Sequence, residues 1–194
     1  MQFRENNWTI PNILTVTRIL LTPGFVMSFI GGQVDMALAL FTLAGVTDAA
    51  DGLLARVLHQ RTRLGAMLDP LADKVLISSA FLCLGISGWV PAWLVVMVIS
   101  RDLIIVGGLA LLTFWGVDIR REIHPSWLSK FNTTGQIGLT FLILVRQVGL
   151  FSLPYVVEFL VYAVAIMTAL TGIDYVMRGL ALFPSNGDGE SGAA

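Results

Sequence analysis

The apolar residues of this chain fall into long stretches that are separated by short polar breaks. A helix that spans a bilayer needs about 20 mostly apolar residues. The chain offers six stretches near this length, which we place at 12–31, 35–57, 70–88, 90–115, 130–150 and 154–178. The breaks at 31–34, 87–90 and 151–154 are short and rich in Gly, Ser or Pro, as in tight connections between antiparallel helices. The pattern predicts an all-α, polytopic membrane protein with six transmembrane helices.

The composition agrees with this pattern and narrows the function classes. The chain is 56% hydrophobic and 13% charged, with a mean hydropathy of +0.80. Soluble domains carry about a quarter of charged residues, so the low charge indicates a membrane protein. A net charge of −1 creates no field that would attract nucleic acid, and we expect no nucleic-acid partner. Cys83 is the single cysteine, which excludes an intramolecular disulfide and argues against a cysteine-based metal site.

The distribution of basic residues predicts the orientation, because Lys and Arg near span ends collect on the cytoplasmic side. The six-span arrangement places one set of arginines on a single side: Arg4, Arg56, Arg61, Arg63, Arg120, Arg121 and Arg178. Arg146 lies near the other side. We therefore expect cytoplasmic termini, no cleaved signal peptide, one six-helix domain over 1–183, and a disordered tail over 184–194 that is rich in Gly, Ser and acidic residues.

Four aspartates surround the cytoplasmic ends of the second and third predicted spans. Asp48 and Asp51 are three residues apart and Asp69 and Asp73 are four apart, so each pair shares one face of a helix. Charged groups at membrane depth are costly and usually functional. Without neutralisation the four carboxylates would repel one another, whereas hard divalent cations such as Mg²⁺ bind all-oxygen ligands. Two metals about 4 Å apart are a recurring solution for phosphoryl displacement.

The neighbours of the aspartates indicate a phosphate-bearing substrate. Gly52 and Gly65 remove side chains where a ligand or another helix can approach the backbone. Arg56 lies near the same membrane surface, where a guanidinium can bind a phosphate through two hydrogen bonds. Alternatives exist for single residues, since one Asp can cap a helix or pair with Arg56 or Lys74, and Gly65 can serve helix packing. A cluster of four is harder to explain in this way.

The spacing of these residues follows the pattern D-x2-D-G-x2-A-R-x8-G-x3-D-x3-D, which the chain matches with Asp48, Asp51, Gly52, Ala55, Arg56, Gly65, Asp69 and Asp73. In this pattern the chain resembles the CDP-alcohol phosphatidyltransferases. The resemblance extends over most of the chain, through the segments 11–15 with Arg18, 68–74 and 129–136.

The resemblance implies a fold, cofactors and partners. It implies a homodimer of six-helix protomers in a bacterial cytoplasmic membrane, with the active site facing the cytoplasm. Two divalent metal ions, Mg or Mn, would be held by the four motif aspartates. The nucleotide of CDP-diacylglycerol would lie beside Gly52, Ala55 and Gly65, with Arg56 on its phosphates. Asp73 would also be the catalytic base that takes the proton from the acceptor hydroxyl, which attacks the lipid-side phosphorus and releases CMP.

The acceptor is predicted from charge. Glycerol 3-phosphate carries a dianionic monoester and should require several cations, whereas phosphatidylglycerol carries a monoanionic diester. The family branch that uses glycerol 3-phosphate has further cations at two positions, which here are Leu109 and Asn132. We therefore expect phosphatidylglycerol as the acceptor and cardiolipin as the product, with Arg101, Lys130 and Asn132 binding the acceptor. The alternatives are synthesis of phosphatidylglycerophosphate and, for Arg101, a simple ion pair with Asp102.

Other classes of function remain open on composition alone. A small carrier or channel also places acidic residues inside a helical bundle, but the spacing of the aspartates with Arg56 opposes this interpretation. A non-catalytic scaffold needs no carboxylate cluster. Inositol phosphate, serine, choline and ethanolamine acceptors are same-fold alternatives.

Overall fold

The computed structural model describes residues 10–57, 63–114, 127–151 and 153–181, with side chains except at 10–13, 51–71, 109–114 and 178–181. The described residues form helices α1 (Ile10–Ile30), α2 (Val34–Val57), α3 (Arg63–Ile86), α4 (Ala92–Phe114), α5 (Trp127–Val148) and α6 (Pro154–Ala181). This confirms the all-α prediction. The predicted tail at 184–194 lies outside the described residues.

The helices coincide with the predicted apolar stretches, with one clear difference in a boundary. The helix α3 begins at Arg63, whereas the apolar stretch was predicted to begin near residue 70. Residues between these positions include Leu64, Ala66 and Met67, which favour a helix even where the segment is too polar for a membrane core. Hydropathy therefore marks the apolar part of α3, and the backbone hydrogen bonding continues beyond it.

The three short turns after α1, α3 and α5 have the same backbone conformation. Each contains a glycine with positive φ, of 74°, 70° and 84° at Gly32, Gly88 and Gly149. After each glycine the next amide donates to a carbonyl five residues earlier, as from Gln33 to Ser28 at 2.9 Å. This is the Schellman ending of a helix, which requires a left-handed residue that glycine adopts without strain. The three turns close antiparallel pairs and confirm the predicted tight connections.

The first three helices pack against the last three, and the two groups share one core. The helix α1 packs against α2 and α3, α6 packs against α4 and α5, and α5 also contacts α2 and α3. Phe25 and Phe41 join α1 to α2, with ring centroids 5.8 Å apart. The single cysteine, Cys83, is buried in the same core and forms no disulfide.

The bundle buries several polar side chains beside its apolar core, and it exposes large apolar side chains on its outside. Its buried polar residues are Thr15, Arg18, Thr22, Arg101, Asp102, Asn132, Gln136, Thr140, Thr168 and Thr171. Large apolar side chains such as Leu20, Met27, Ile30 and Phe159 are exposed. Of the helices in the described part of the chain, α6 is long and apolar enough over Pro154–Met177 to cross a bilayer, and the apolar run Leu14–Ile30 is shorter.

Candidate functional site

A buried arginine joins two of the four motif aspartates. Arg18 of α1 is fully buried, and its Nη2 atom lies 2.6 Å from the Oδ1 atom of Asp48 in α2. Its Nη1 atom donates to the Oδ1 atom of Asp73 in α3. The two aspartate side chains are 41% and 38% exposed, so both remain reachable from outside the bundle. The structure therefore brings Asp48 and Asp73 together across two helices, as the sequence predicted.

Arg18 is a residue whose contacts the sequence analysis missed. It was noted as part of a family segment, without a role. The signal was present in the sequence, because a guanidinium inside an apolar helix needs a carboxylate partner and the chain has a prominent acidic cluster. One more contact fixes the local geometry, since the Thr22 hydroxyl donates to the Arg18 carbonyl at 3.1 Å.

A small cavity lies beside the Arg18 pairs. Its volume is about 20 Å³, and Ala44, Gly45 and Ile137 line it together with the charged side chains. A Cβ atom added at Gly45 would meet no atom within 4 Å, so this part of α2 leaves space near the carboxylates. The carboxylate oxygens are the ligand type that hard cations bind, and Arg18 contacts them in this structure.

The remaining motif residues lie in the described backbone but not among the described side chains. Four of them belong to the last turns of α2, namely Asp51, Gly52, Ala55 and Arg56, and two belong to the first turns of α3, namely Gly65 and Asp69. Because both segments are helical, Asp51 shares a face with Asp48 and Asp69 shares a face with Asp73. Among the described side chains, no group of three or more potential metal ligands occurs.

A second charged cluster lies between α3, α4 and α5. Lys74 of α3 and Arg101 of α4 both donate to the Oδ1 atom of Asp102, the arginine at 2.7 Å. Arg101 also donates to the Ser129 hydroxyl at 2.6 Å, at the beginning of α5. The sequence analysis included Arg101 as an acceptor-binding residue and weighed its pairing with Asp102, and the structure contains that pair. It did not predict that Lys74 joins it.

The other two predicted acceptor-binding residues face different directions on α5. Asn132 is fully buried, and its side-chain oxygen accepts a hydrogen bond from Thr168 of α6 at 3.1 Å. Lys130 is exposed, and its Nζ atom lies 4.9 Å from the centroid of the Trp127 ring. Residues two apart on an α-helix differ by about 200° in direction, which accounts for the difference. Leu109 lies in α4, outside the described side chains.

An open groove between α4 and α6 adjoins the second cluster. Its volume is about 410 Å³, and its lining is mostly apolar, with Met97, Ile104, Ala169 and Ile173 beside Arg101. A Cβ atom added at Gly172 would lie 3.7 Å from the Cγ atom of Arg101, so the arginine stem packs against α6. The polar cluster thus adjoins an apolar surface.

Comparison with known proteins identifies the family. The model of the CDP-alcohol phosphatidyltransferase family matches residues 8–172, which contain both charged clusters. The chain belongs to this family, as its motif indicated.

The similar proteins divide between two activities. Human cardiolipin synthase (CMP-forming) is 34% identical over 189 residues, covering 90% of this chain and 63% of the human protein. A probable phosphatidylglycerophosphate synthase of Mycobacterium tuberculosis is 38% identical over 182 residues, covering 87% of this chain and 80% of that protein. A putative cardiolipin synthase of Mycobacterium bovis is 40% identical over 128 residues, covering 66% and 60%. The chain thus spans somewhat less than two thirds of the human relative.

Proposed function

We propose that the protein transfers a phosphatidyl group from CDP-diacylglycerol to phosphatidylglycerol, forming cardiolipin and CMP in phospholipid biosynthesis. The observation that carries the proposal is the meeting of Asp48 and Asp73 at Arg18, beside a small cavity. The family motif and the cardiolipin synthases among the similar proteins support the reaction class. The acceptor is supported by the absence of the further cations at Leu109 and Asn132.

The chemistry requires a divalent cation, on which this family generally depends. We propose that Asp48, Asp51, Asp69 and Asp73 hold two ions, either Mg or Mn. The carboxylate oxygens of Asp48 and Asp73 are the donor type that a hard divalent cation binds, and they already lie beside one positive charge, that of Arg18. Bound divalent ions would neutralise the pyrophosphate and stabilise the negative charge of the departing CMP.

The residues of the chain perform the remaining steps. Gly52, Ala55 and Gly65 leave room for the nucleotide, and Arg56 binds its phosphates. Asp73 accepts the proton of the acceptor hydroxyl, and the hydroxyl oxygen then bonds to the lipid-side phosphorus. The bond from that phosphorus to the oxygen of CMP breaks, and CMP leaves with the bonding electrons. Arg101, with Lys130 and Asn132 on α5, binds the acceptor.

The protein works in a membrane in this proposal. All six helices span the bilayer, as the exposed large apolar side chains and the polar residues buried inside the bundle support. The six-helix domain covers 1–183, and the active site faces the cytoplasm from a bacterial inner membrane. Two protomers form a homodimer. Membrane lipid is therefore both the solvent and the source of both substrates.

A second candidate function is the synthesis of phosphatidylglycerophosphate. It is favoured by the mycobacterial relative of that name, which the chain covers over 80% of its length. The two functions share donor, metal site and base, and they differ in the charge and acyl chains of the acceptor. A carrier or channel is the alternative of another class.

Proteoliposomes test the enzyme class. Purified protein is reconstituted with CDP-diacylglycerol and phosphatidylglycerol, and CMP is measured with Mn²⁺ and with excess chelator. We expect CMP release that depends on the metal. Cation flux across the same vesicles without CMP release would instead support the carrier. In parallel, Mn²⁺ binding is titrated for Asp48→Ala and for the control Asp35→Ala, whose residue is exposed at the other end of α2. Unchanged binding in Asp48→Ala would contradict the ligand assignment.

A further inference from the structure

Two cations share a single oxygen of a buried carboxylate. Lys74 and Arg101 both donate to the Oδ1 atom of Asp102, whose residue is 6% exposed. The Oδ2 atom of the same carboxylate is buried and accepts no hydrogen bond from the part of the chain that the structure describes. The Nε atom of Arg101 is likewise buried without such a partner. The cluster is therefore compact, charged and incompletely satisfied.

The shared carboxylate is what allows the two cations to approach each other. Two positive charges that contact the same oxygen atom repel each other strongly in a medium of low dielectric constant. The negative charge of the carboxylate between them compensates this repulsion. Within these three residues, one carboxylate against two cations leaves a net charge of +1, and the neighbouring carboxylate of Asp73 is paired with Arg18. An uncompensated charge inside a bundle is costly, so the cluster is suited to one additional negative charge.

The position of the cluster relates it to the reaction. Lys74 directly follows Asp73, the proposed base, in α3. The side chain of Lys74 is 27% exposed, while those of Arg101 and Asp102 are 3% and 8% exposed. Lys74 is thus the member of the cluster that solvent or a ligand can reach. Asp102 contacts it from the buried side, together with Arg101. Arg101 in turn reaches Ser129 on α5, which ties the cluster to the helix that carries Lys130 and Asn132.

We infer that Lys74, Arg101 and Asp102 form an anion subsite for the phosphodiester of the acceptor lipid, and that Asp102 sets the acceptor charge the site prefers. This inference rests on the proposed function and names a specificity residue within it. A phosphodiester carries one negative charge, which matches the net charge of the cluster. A phosphomonoester is largely dianionic at neutral pH, because its second pKa is about 6, and it would exceed the charge that the cluster balances.

The apolar groove between α4 and α6 gives this subsite a second, independent feature. Its lining includes Arg101 together with Ile104, Ala169 and Ile173, and its volume is about 410 Å³. An acceptor with acyl chains can place its phosphodiester at the cluster and one chain in the groove. A small water-soluble acceptor would leave the groove unused. The net charge of the cluster and the apolar lining of the groove therefore indicate the same acceptor, a monoanionic lipid.

The test compares two acceptors in variants that change the charge of the cluster. Asp102→Asn raises the net charge to about +2 with little change of shape, Lys74→Gln lowers it to about 0, and Asp102→Glu keeps it. The values of kcat and KM are measured for phosphatidylglycerol and for glycerol 3-phosphate. Asp35→Asn, at an exposed position far from the cluster along α2, serves as the matched control.

We expect Asp102→Asn to lower the preference for phosphatidylglycerol over glycerol 3-phosphate by about tenfold or more, mainly through KM. Asp102→Glu should restore the preference to within about threefold of the wild type. Lys74→Gln should raise the KM for phosphatidylglycerol by about tenfold and change kcat less. If Asp102→Asn does not fold, the KM of Lys74→Gln for phosphatidylglycerol tests the inference in its place.

The outcomes separate the inference from the proposed function. If the wild-type protein makes cardiolipin and the preference is unchanged in folded Asp102→Asn, the inference is wrong and the function stands. An unchanged KM in Lys74→Gln would overturn the inference in the same way. If the wild-type protein releases CMP with neither acceptor, the proposed function fails and the inference with it.

Discussion

Arg18 in α1 and Asp48 in α2 form an ion pair at 2.6 Å, with the arginine fully buried and the aspartate partly exposed. The same guanidinium contacts Asp73 in α3, so one side chain connects α1 to the two helices that carry the motif. Both carboxylates are also proposed ligands of a divalent ion. The pair thus links the folding of the first three helices to the proposed chemistry.

Replacing Arg18 should destabilise the protein in a way that divalent metal partly corrects. Arg18→Gln leaves two partly exposed carboxylates near each other without their shared cation, and we expect a loss of free energy of unfolding of about 1–2 kcal/mol, less than for a fully buried pair. Mn²⁺ should recover part of the loss by neutralising the carboxylates. The single cysteine, Cys83, is buried, so its reaction with a thiol-specific fluorophore on heating reports unfolding.

The control for this measurement is Arg146→Gln, because Arg146 is exposed in the last turn of α5. Its unfolding temperature should stay near that of the wild type, with or without Mn²⁺. Equal stability of Arg18→Gln and Arg146→Gln would show that the bridge contributes little. A loss of stability in Arg18→Gln that Mn²⁺ leaves unchanged would contradict a link between Arg18 and the proposed metal site.

Removing the proposed base should abolish turnover while leaving the fold intact. Asp73→Asn is nearly isosteric, and its amide can still accept a hydrogen bond from Arg18 through the remaining oxygen. We expect kcat to fall by about 10²–10⁴, the range that a positioned general base contributes. The measurement is CMP release at saturating substrates, alongside Mn²⁺ titration. Asp35→Asn should retain wild-type turnover, and near-wild-type kcat in Asp73→Asn would remove that residue from the role of base.

Filling the groove between α4 and α6 should impair the use of an acyl-bearing acceptor. Ala169→Phe places a ring in the groove, whereas Leu170→Phe places the same ring on an exposed surface beside it. We expect Ala169→Phe to lower kcat/KM for phosphatidylglycerol by about tenfold, because apolar pockets discriminate to this degree. Deacylated glycerophosphoglycerol, which has no chain to place there, should be used equally by both variants. Equal losses for both acceptors would mean that the groove holds no acyl chain.

The sequence predicted much of the fold because apolar stretches of about 20 residues indicate helices that are long enough to span a bilayer. The turns with Gly32 and Gly88 were visible as Gly-rich breaks, since their backbone conformation restricts the choice of residue. The third break was predicted at 151–154, just after the turn residue Gly149. The beginning of α3 was less predictable, because Gly65 and Pro70 in its first turns are typical of a helix boundary. The sequence therefore identified the helices better than it identified their ends.

The candidate site was predictable in its residues but not in its pairing. Asp48 and Asp73 followed from spacing on two helices, and the structure brings them together. That Arg18 is their partner depends on how α1 packs against α2 and α3, which no local pattern specifies. The same reason explains Lys74, which was considered as a partner of the motif aspartates and instead pairs with Asp102. Long-range ion pairs follow from packing, and one chain offers several partners of opposite charge.

The most direct test of the central claim is an acceptor competition. Purified protein receives CDP-diacylglycerol, Mn²⁺, and equal concentrations of phosphatidylglycerol and glycerol 3-phosphate, and the lipid products are identified by mass spectrometry while CMP is quantified. We expect cardiolipin as the main product, with one CMP released for each cardiolipin formed. Phosphatidylglycerophosphate as the main product would contradict the lipid-acceptor assignment, and an absence of CMP would contradict the proposed transferase itself.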